Sequence, residues 1–362
     1  MIVRSALLIL LSSLLSAGLI AGCAPGGGAT ASPAGPAQPD SVTIYGEEIA
    51  RLDLTGSLLL LRFVEGSPVL LSLDLESGEL TSVFHPAKGA WVTAADASPQ
   101  AGRIAMAYSP APPGGQSQSG FTGISLLPLD GSGEPEEFIP PVEGQSLFSF
   151  PAWSPDGSIL YYNQFQYGSQ AGGLDIPVIG QLGYPAGAAE ELVRLGRWPR
   201  ISPDGEGMVF VSVRQEAGIY LETLEVLDLA AEAAEPALVP LGPEIEVLDM
   251  PLFSPDGQML YFSAPSPEGV PAGPSILDRL AGVSTASAHD VPSDWFRVPL
   301  QGGPAERLTR IGGTGLYGVF SPAGTRMAFI TNRGVQVMNP DGSDLSTLVE
   351  GDGFFGTIDW VP

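Results

Sequence analysis

Five stretches of this chain are variations on one phrase. Residues 150–162 read FPAWSPDGSILYY, and SPDG returns at 202–205 before GMVFVS and at 254–257 before MLYFSA. SPAG stands at 321–324 ahead of MAFIT, and SPQAG at 98–102 ahead of IAMAYS. Each copy joins turn chemistry to an apolar run of strand length. The serines at 98, 154, 202, 254 and 321 are separated by roughly 50–70 residues, a spacing that fits four short strands per unit set radially around an axis. The chain ends on IDWVP, where Trp360 stands as Trp153 does in AWSP.

The unit beginning near Leu248 shows the pattern most fully. An inner strand ends at Phe253, SPDG turns, and a second strand covers 258–263. After a long insertion a third strand runs over 295–300, residues 301–304 turn, and a short fourth strand covers 306–309. The expected fold is all-β: a β-propeller of six blades with four antiparallel strands each, its ring closed by the C-terminal strand. Blade 1 takes its outer strands from 57–84. Blades 2 to 6 follow at about 91–142, 147–195, 197–241, 246–310 and 314–350. The tail FFGTIDWVP has no strands of its own to pair with, so it is expected to complete blade 1. The competing inner strand for blade 1 is EEIARLDLTGS at 47–57. Forty-seven glycines and 35 prolines suit a turn-dense all-β chain and not a helical one.

Both the aromatic-SPDG turn and WFRVPLQGGPAERLT (295–309) resemble TolB-type repeats, a WD-like β-propeller family, over essentially all of 42–362. Similar repeats form the propeller of prolyl-oligopeptidase-like peptidases, and some TolB-like propellers are polysaccharide lyases with histidine-rich metal sites. The resemblance therefore implies a fold and leaves the activity open. No G-x-S-x-G occurs, and the residues after blade 6 are too few for an α/β-hydrolase domain, so the peptidase activity is not expected to carry over. Two histidines, His85 and His289, do not supply a histidine-rich metal site.

The N-terminus reads as an address. A short basic start is followed by an apolar run over 6–20, shorter than the ~20 residues of a membrane span. Then comes LIAGC at 19–23, which resembles the lipobox of bacterial lipoproteins. That resemblance implies cleavage before Cys23 and acylation of its thiol, with residues 1–22 as signal peptide. Cys23 is the sole cysteine, so no disulfide is available. Residues 23–41 are rich in Gly, Pro and Ala and are expected to form a flexible tether to the folded domain at 42–362. The implied location is extracytoplasmic, anchored in the cell membrane or the outer membrane.

Forty acidic residues against 15 basic ones give a net charge of −25, which repels phosphate backbones and argues against nucleic acid. Asp156, Asp204 and Asp256 recur at one turn position and are each followed by glycine (Gly157, Gly205, Gly257). Calcium could use such carboxylates, but Asp-Gly is also what a two-residue hairpin turn requires, and Ala323 before Gly324 fills the same place in blade 6. They are read as structural turns, with no metal and no cofactor expected. Trp153, Phe253, Phe320 and Trp360 recur before the turn and are read as packing between blades.

Long insertions at 109–122, 164–173 and 265–293 fall between second and third strands, on the rim opposite the SPDG turns. Loops on a rigid scaffold are where binding concentrates. Candidate binding residues on that face are His85, Phe121, Phe165, Tyr167, His289, Asp290 and Asp294. The expected function is a monomeric, lipid-anchored envelope module binding a protein or peptide partner on this face. Two alternatives stay open: a hydrolase or lyase acting on an extracellular glycan or peptide in the central pocket, and a small-molecule or metal-binding sensor.

Overall fold

The structure is a computed structural model that describes residues 42–111, 122–141, 146–166, 176–216, 219–231, 233–242, 245, 247–268 and 291–362. Cys23, the tether, Phe121, Tyr167, His289 and Asp290 lie outside the described residues.

Six antiparallel sheets form a six-bladed propeller. Blades 2 to 6 each run outward in chain order, from inner strand A to outer strand D. In blade 5 these strands are Asp249–Phe253, Met259–Pro265, Ser293–Pro299 and Glu306–Arg307. Blade 1 is assembled from both ends of the domain. Its strand A is Phe354–Val361, and Ser57–Val64, Ser67–Asp74 and Leu80–Phe84 follow outward. The C-terminal strand therefore closes the ring, as expected. The competing segment is helical over Gly46–Arg51, held by buried Ile49 and by Arg51 bonded to Asp344 and Ser346. Six residues cannot sustain a helix in water, so these tertiary contacts decide its conformation. The sequence pattern did not announce a second device: Thr43–Ile44 pairs with strand D of blade 6 and makes that sheet five-stranded.

Blades bury both faces, which explains the continuous apolar runs. In LLLL at 58–61, Leu58 and Leu60 join the cluster containing Ile358, Trp360, Val335 and Leu348, towards blade 6. Leu59 and Leu61 point the other way and pack with Val92, Ile104 and Met106 of blade 2. Blade 2 repeats the alternation, with Ala105 and Ala107 against Phe148 and Tyr162 of blade 3. Of the recurring aromatics, Phe320 packs between blades, while Trp153 and Trp360 also make contacts inside their own blades. Phe320 lies edge-on to Tyr261 at 4.9 Å, Trp153 edge-on to Tyr184 at 5.3 Å, and the Trp360 indole donates to Thr55 O at 2.9 Å.

The SPDG turn is longer than a two-residue hairpin. Gly157 N–H donates to Ser154 O at 2.9 Å, and Ser154 N–H reaches past it to Ile159 O at 2.8 Å. Pro155 and Asp156 are thus the centre of the turn, where proline presets the backbone, and only Gly157 takes a positive φ, of 71°. The Ser154 hydroxyl accepts from Ile159 N–H and donates to Asp156 at 2.6 Å. The same frame recurs at Ser202, Ser254 and Ser321. The serine hydroxyl, then the backbone N–H two residues on, hold the Asp156, Asp204 and Asp256 carboxyls below their ordinary range.

Neighbouring turns also interlock. A Cβ on Gly324 would lie 2.6 Å from Pro255, and one on Gly157 2.7 Å from Ala101 N, whereas one on Gly257 would meet open space. Gly257→Ala is therefore expected to cost about 1–2 kcal/mol, from the left-handed backbone alone. Gly157→Ala and Gly324→Ala should cost more, and Asp156→Asn, which keeps the accepting oxygen, should be nearly silent. Urea midpoints of the four variants check the order, and equal losses at the three glycines would contradict the interlocking.

Candidate functional site

In a propeller the inner strands surround a channel, and here each carries one residue at the same repeat position, two before the turn serine or, in blade 1, one before Trp360 as Ala152 is one before Trp153. Reading round the ring from blade 1, these are Asp359, Asp96, Ala152, Arg200, Leu252 and Val319. All six line a funnel of about 350 Å³ that opens on the rim bearing the SPDG turns. The belt is two-sided, with charge contributed by blades 1, 2 and 4 and apolar side chains by blades 5 and 6. Around the mouth stand Pro155, Pro203, Pro255 and Pro322, the second residues of four turns. Ser321 and Pro322 also border a groove of about 500 Å³ that runs outward over the seam between blades 6 and 1, past Asp74, Glu76 and Arg326.

The funnel is blind. Phe150 of blade 3 stacks on Tyr317 of blade 6 at 6.3 Å, across the ring, and meets Trp198 of blade 4 edge-on at 6.2 Å. Arg197 lies over the Trp198 ring at 4.3 Å. Phe150, Trp198 and Met250 have φ values of 47°, 58° and 51°, and each sits at a β-bulge of its inner strand. Left-handed backbone at bulky residues is strained and persists only where its surroundings hold it. Each of the three precedes a proline (151, 199 and 251) lying three residues before the turn serine. That recurring proline is a regularity of the sequence that the reading of the repeats did not use.

Charge in the funnel is concentrated at its seam. Arg200 Nη1 lies 3.7 Å from Asp96 Oδ1. Asp96 accepts from Trp153 N–H at 2.7 Å, and Asp359 accepts from Ala97 N–H at 2.8 Å. Burial, then the nearby charge of Asp359, push the Asp96 carboxyl up to about 8, against the pull of Arg200 and the Trp153 N–H. Burial likewise raises Asp359, against two backbone N–H groups and Arg200. Asp96, Asp359 and Arg200 were not among the residues singled out from the sequence. Alignment of the repeats on the turn serine brings them to one position.

None of the described candidates from the sequence lines the funnel. His85 is exposed, just after strand D of blade 1, and is not part of the funnel wall. Phe165 belongs to strand B of blade 3 and not to the insertion, because it is paired with Leu147 on one side and Pro177 on the other. Asp294 is fully buried in strand C of blade 5. It accepts from Arg307 at 2.6 Å and from the N–H groups of Ile311 and Gly312 at 2.6 and 3.2 Å, and it also bonds to Ser266 and Thr309. Its carboxylate is engaged inside the blade, where it ties the base of the insertion to strand D. Among the described residues, no group of three or more His, Cys, Asp or Glu is placed to hold a metal ion.

This architecture defines a six-bladed β-propeller whose described residues place aromatic side chains in contact across the ring and a funnel on the rim of the SPDG turns. The fold is TolB-like. TolB of Acinetobacter baumannii superposes with a TM-score of 0.58 at 18% identity, covering 85% of this chain and 67% of that one. A protein of Agrobacterium tumefaciens assigned as TolB gives 0.54 at 17% identity, covering 85% and 99%. A chain of the nidogen/laminin complex gives 0.56 at 12% identity, covering 83% and 97%. No protein-family model and no curated protein matches the chain.

Proposed function

We propose that this protein is an extracytoplasmic propeller, lipid-anchored through Cys23, that binds a protein or peptide partner. The blind funnel carries this reading. A plugged channel does not conduct, and a rigid mouth of turn prolines over a half-charged, half-apolar belt suits an inserted side chain or peptide segment. The adjoining groove extends the surface in the direction an extended peptide would need. By its description the nidogen/laminin structure is a protein complex, so a propeller of this shape is compatible with partner binding. The long-loop face is the second docking place, since the insertions of blades 2, 3 and 5 all emerge there.

The test is crosslinking and capture from intact membranes with the full chain. Pro203→Arg and Pro322→Arg change exposed mouth residues that a type I turn can spare. They are expected to abolish a capture that shortening of 269–290 leaves intact. The opposite pattern would move the partner to the long-loop face, and a partner retained by both variants would remove the funnel from the reading. No helix among the described residues is long and apolar enough to cross a membrane. Cys23→Ser is accordingly expected to move the protein from the membrane to the soluble fraction or to stall its processing. A processed Cys23→Ser chain that still sediments with membranes would refute the anchor.

A further inference from the structure

Inner strands of a propeller turn one hydrogen-bonding edge to the channel, and those N–H groups need partners. At the closing seam, side chains supply them. Thr357 Oγ1 accepts from Ala95 N–H at 2.7 Å and donates to Ala95 O at 2.6 Å. Asp359 caps Ala97 N–H, and Asp96 caps Trp153 N–H. These contacts join blade 1 to blade 2 and blade 2 to blade 3 along the funnel wall. Strand A of blade 1 is the C-terminal strand, so its grip on blade 2 is non-covalent.

Few charges face this seam. Blade 1 presents Asp359, blade 2 presents Asp96, and blade 4 presents Arg200. The funnel-lining residues of blades 3, 5 and 6 include no titratable side chain. One guanidinium therefore serves two carboxyls in a confined wall, and ionising both leaves a negative charge without a counter-ion between adjacent blades.

We propose that Asp96 and Asp359 form a proton-operated latch on the ring: with one of the two carboxyls protonated the closing strand sits against blade 2, and losing that proton loosens the strand at the funnel mouth. The titration direction agrees. Both carboxyls are raised in the folded protein, so their contribution is complete below the unfolded value near 4 and is lost as pH rises, for Asp96 towards about 8.

Amide exchange on the full chain, normalised to the intrinsic rate at each pH, tests the latch. Protection of the Ala95, Ala97 and Trp153 amides is expected to fall at least tenfold between pH 6 and pH 9, while the Val209, Phe210 and Val211 amides of blade 4 hold theirs. In Asp96→Asn the amide oxygen can still cap Trp153 N–H without the charge, and the fall should disappear. Asp359→Asn makes the same test from the other blade if the first variant does not fold. Arg200→Gln removes the single cation, whose pull favours ionisation of both carboxyls, and should move the fall to higher pH. Constant protection in the wild type would overturn the latch. So would an unchanged fall in either Asn variant, or an equal loss at Val209–Val211.

Discussion

Deleting residues 354–362 is expected to abolish the cooperative thermal transition of the domain, followed by near-ultraviolet circular dichroism. A terminal trim is ordinarily mild. This one removes strand A of blade 1, paired with Ser57–Arg62 over its length. It withdraws Phe354, Ile358 and Trp360, all at least nine-tenths buried. At about 1.5–3 kcal/mol for each large apolar side chain, the lost burial is on the order of 5–9 kcal/mol, comparable with the whole stability of a typical domain. It also uncovers strand edges in blade 1 and along blade 2. Ile358→Ala is the graded control and should keep a two-state transition lowered by about 2–4 kcal/mol. A deletion that melts like the wild type would mean that another segment can close the ring.

Asp294→Ala should be the most damaging single substitution on the long-loop side, at about 3–5 kcal/mol in urea denaturation. The carboxylate is wholly buried and receives bonds from Arg307, Ser266, Thr309 and two backbone N–H groups. Its removal leaves the two hydroxyls and two backbone N–H groups without their acceptor and takes from Arg307 its buried partner, leaving it Glu268 and Thr309 O. Glu268, which also pairs with Arg307, is the contrast. Its side chain is 62% exposed, so Glu268→Ala should shift the midpoint little. If both variants behaved alike, the Asp294 cluster would be acting as an ordinary surface ion pair.

Much of the architecture was legible in the chain. The turn serine, the following proline and the left-handed glycine recur because four residues must reverse a strand in each unit, and that demand is local. The alternation within LLLL at 58–61 and IAMA at 104–107 is local as well, since a strand buried on both faces sends successive side chains to opposite neighbours. The number of blades and the closing role of IDWVP followed from counting the copies.

Tertiary structure decided what depends on several blades meeting. Residues 46–51 became a helix because Ile49 and Arg51 found partners near 344–349, far along the chain. Asp294 and Phe165, selected as binding residues for their positions in or beside insertions, were drawn into the blades by ladders and donors that no local window contains. The aromatic plug and the Asp96–Asp359–Arg200 group have members widely separated in sequence, and each looks like an ordinary strand residue. They acquire strain, shifted protonation and a shared funnel only when six inner strands are brought round one axis, because burial and charge proximity are properties of the ring and not of the repeat.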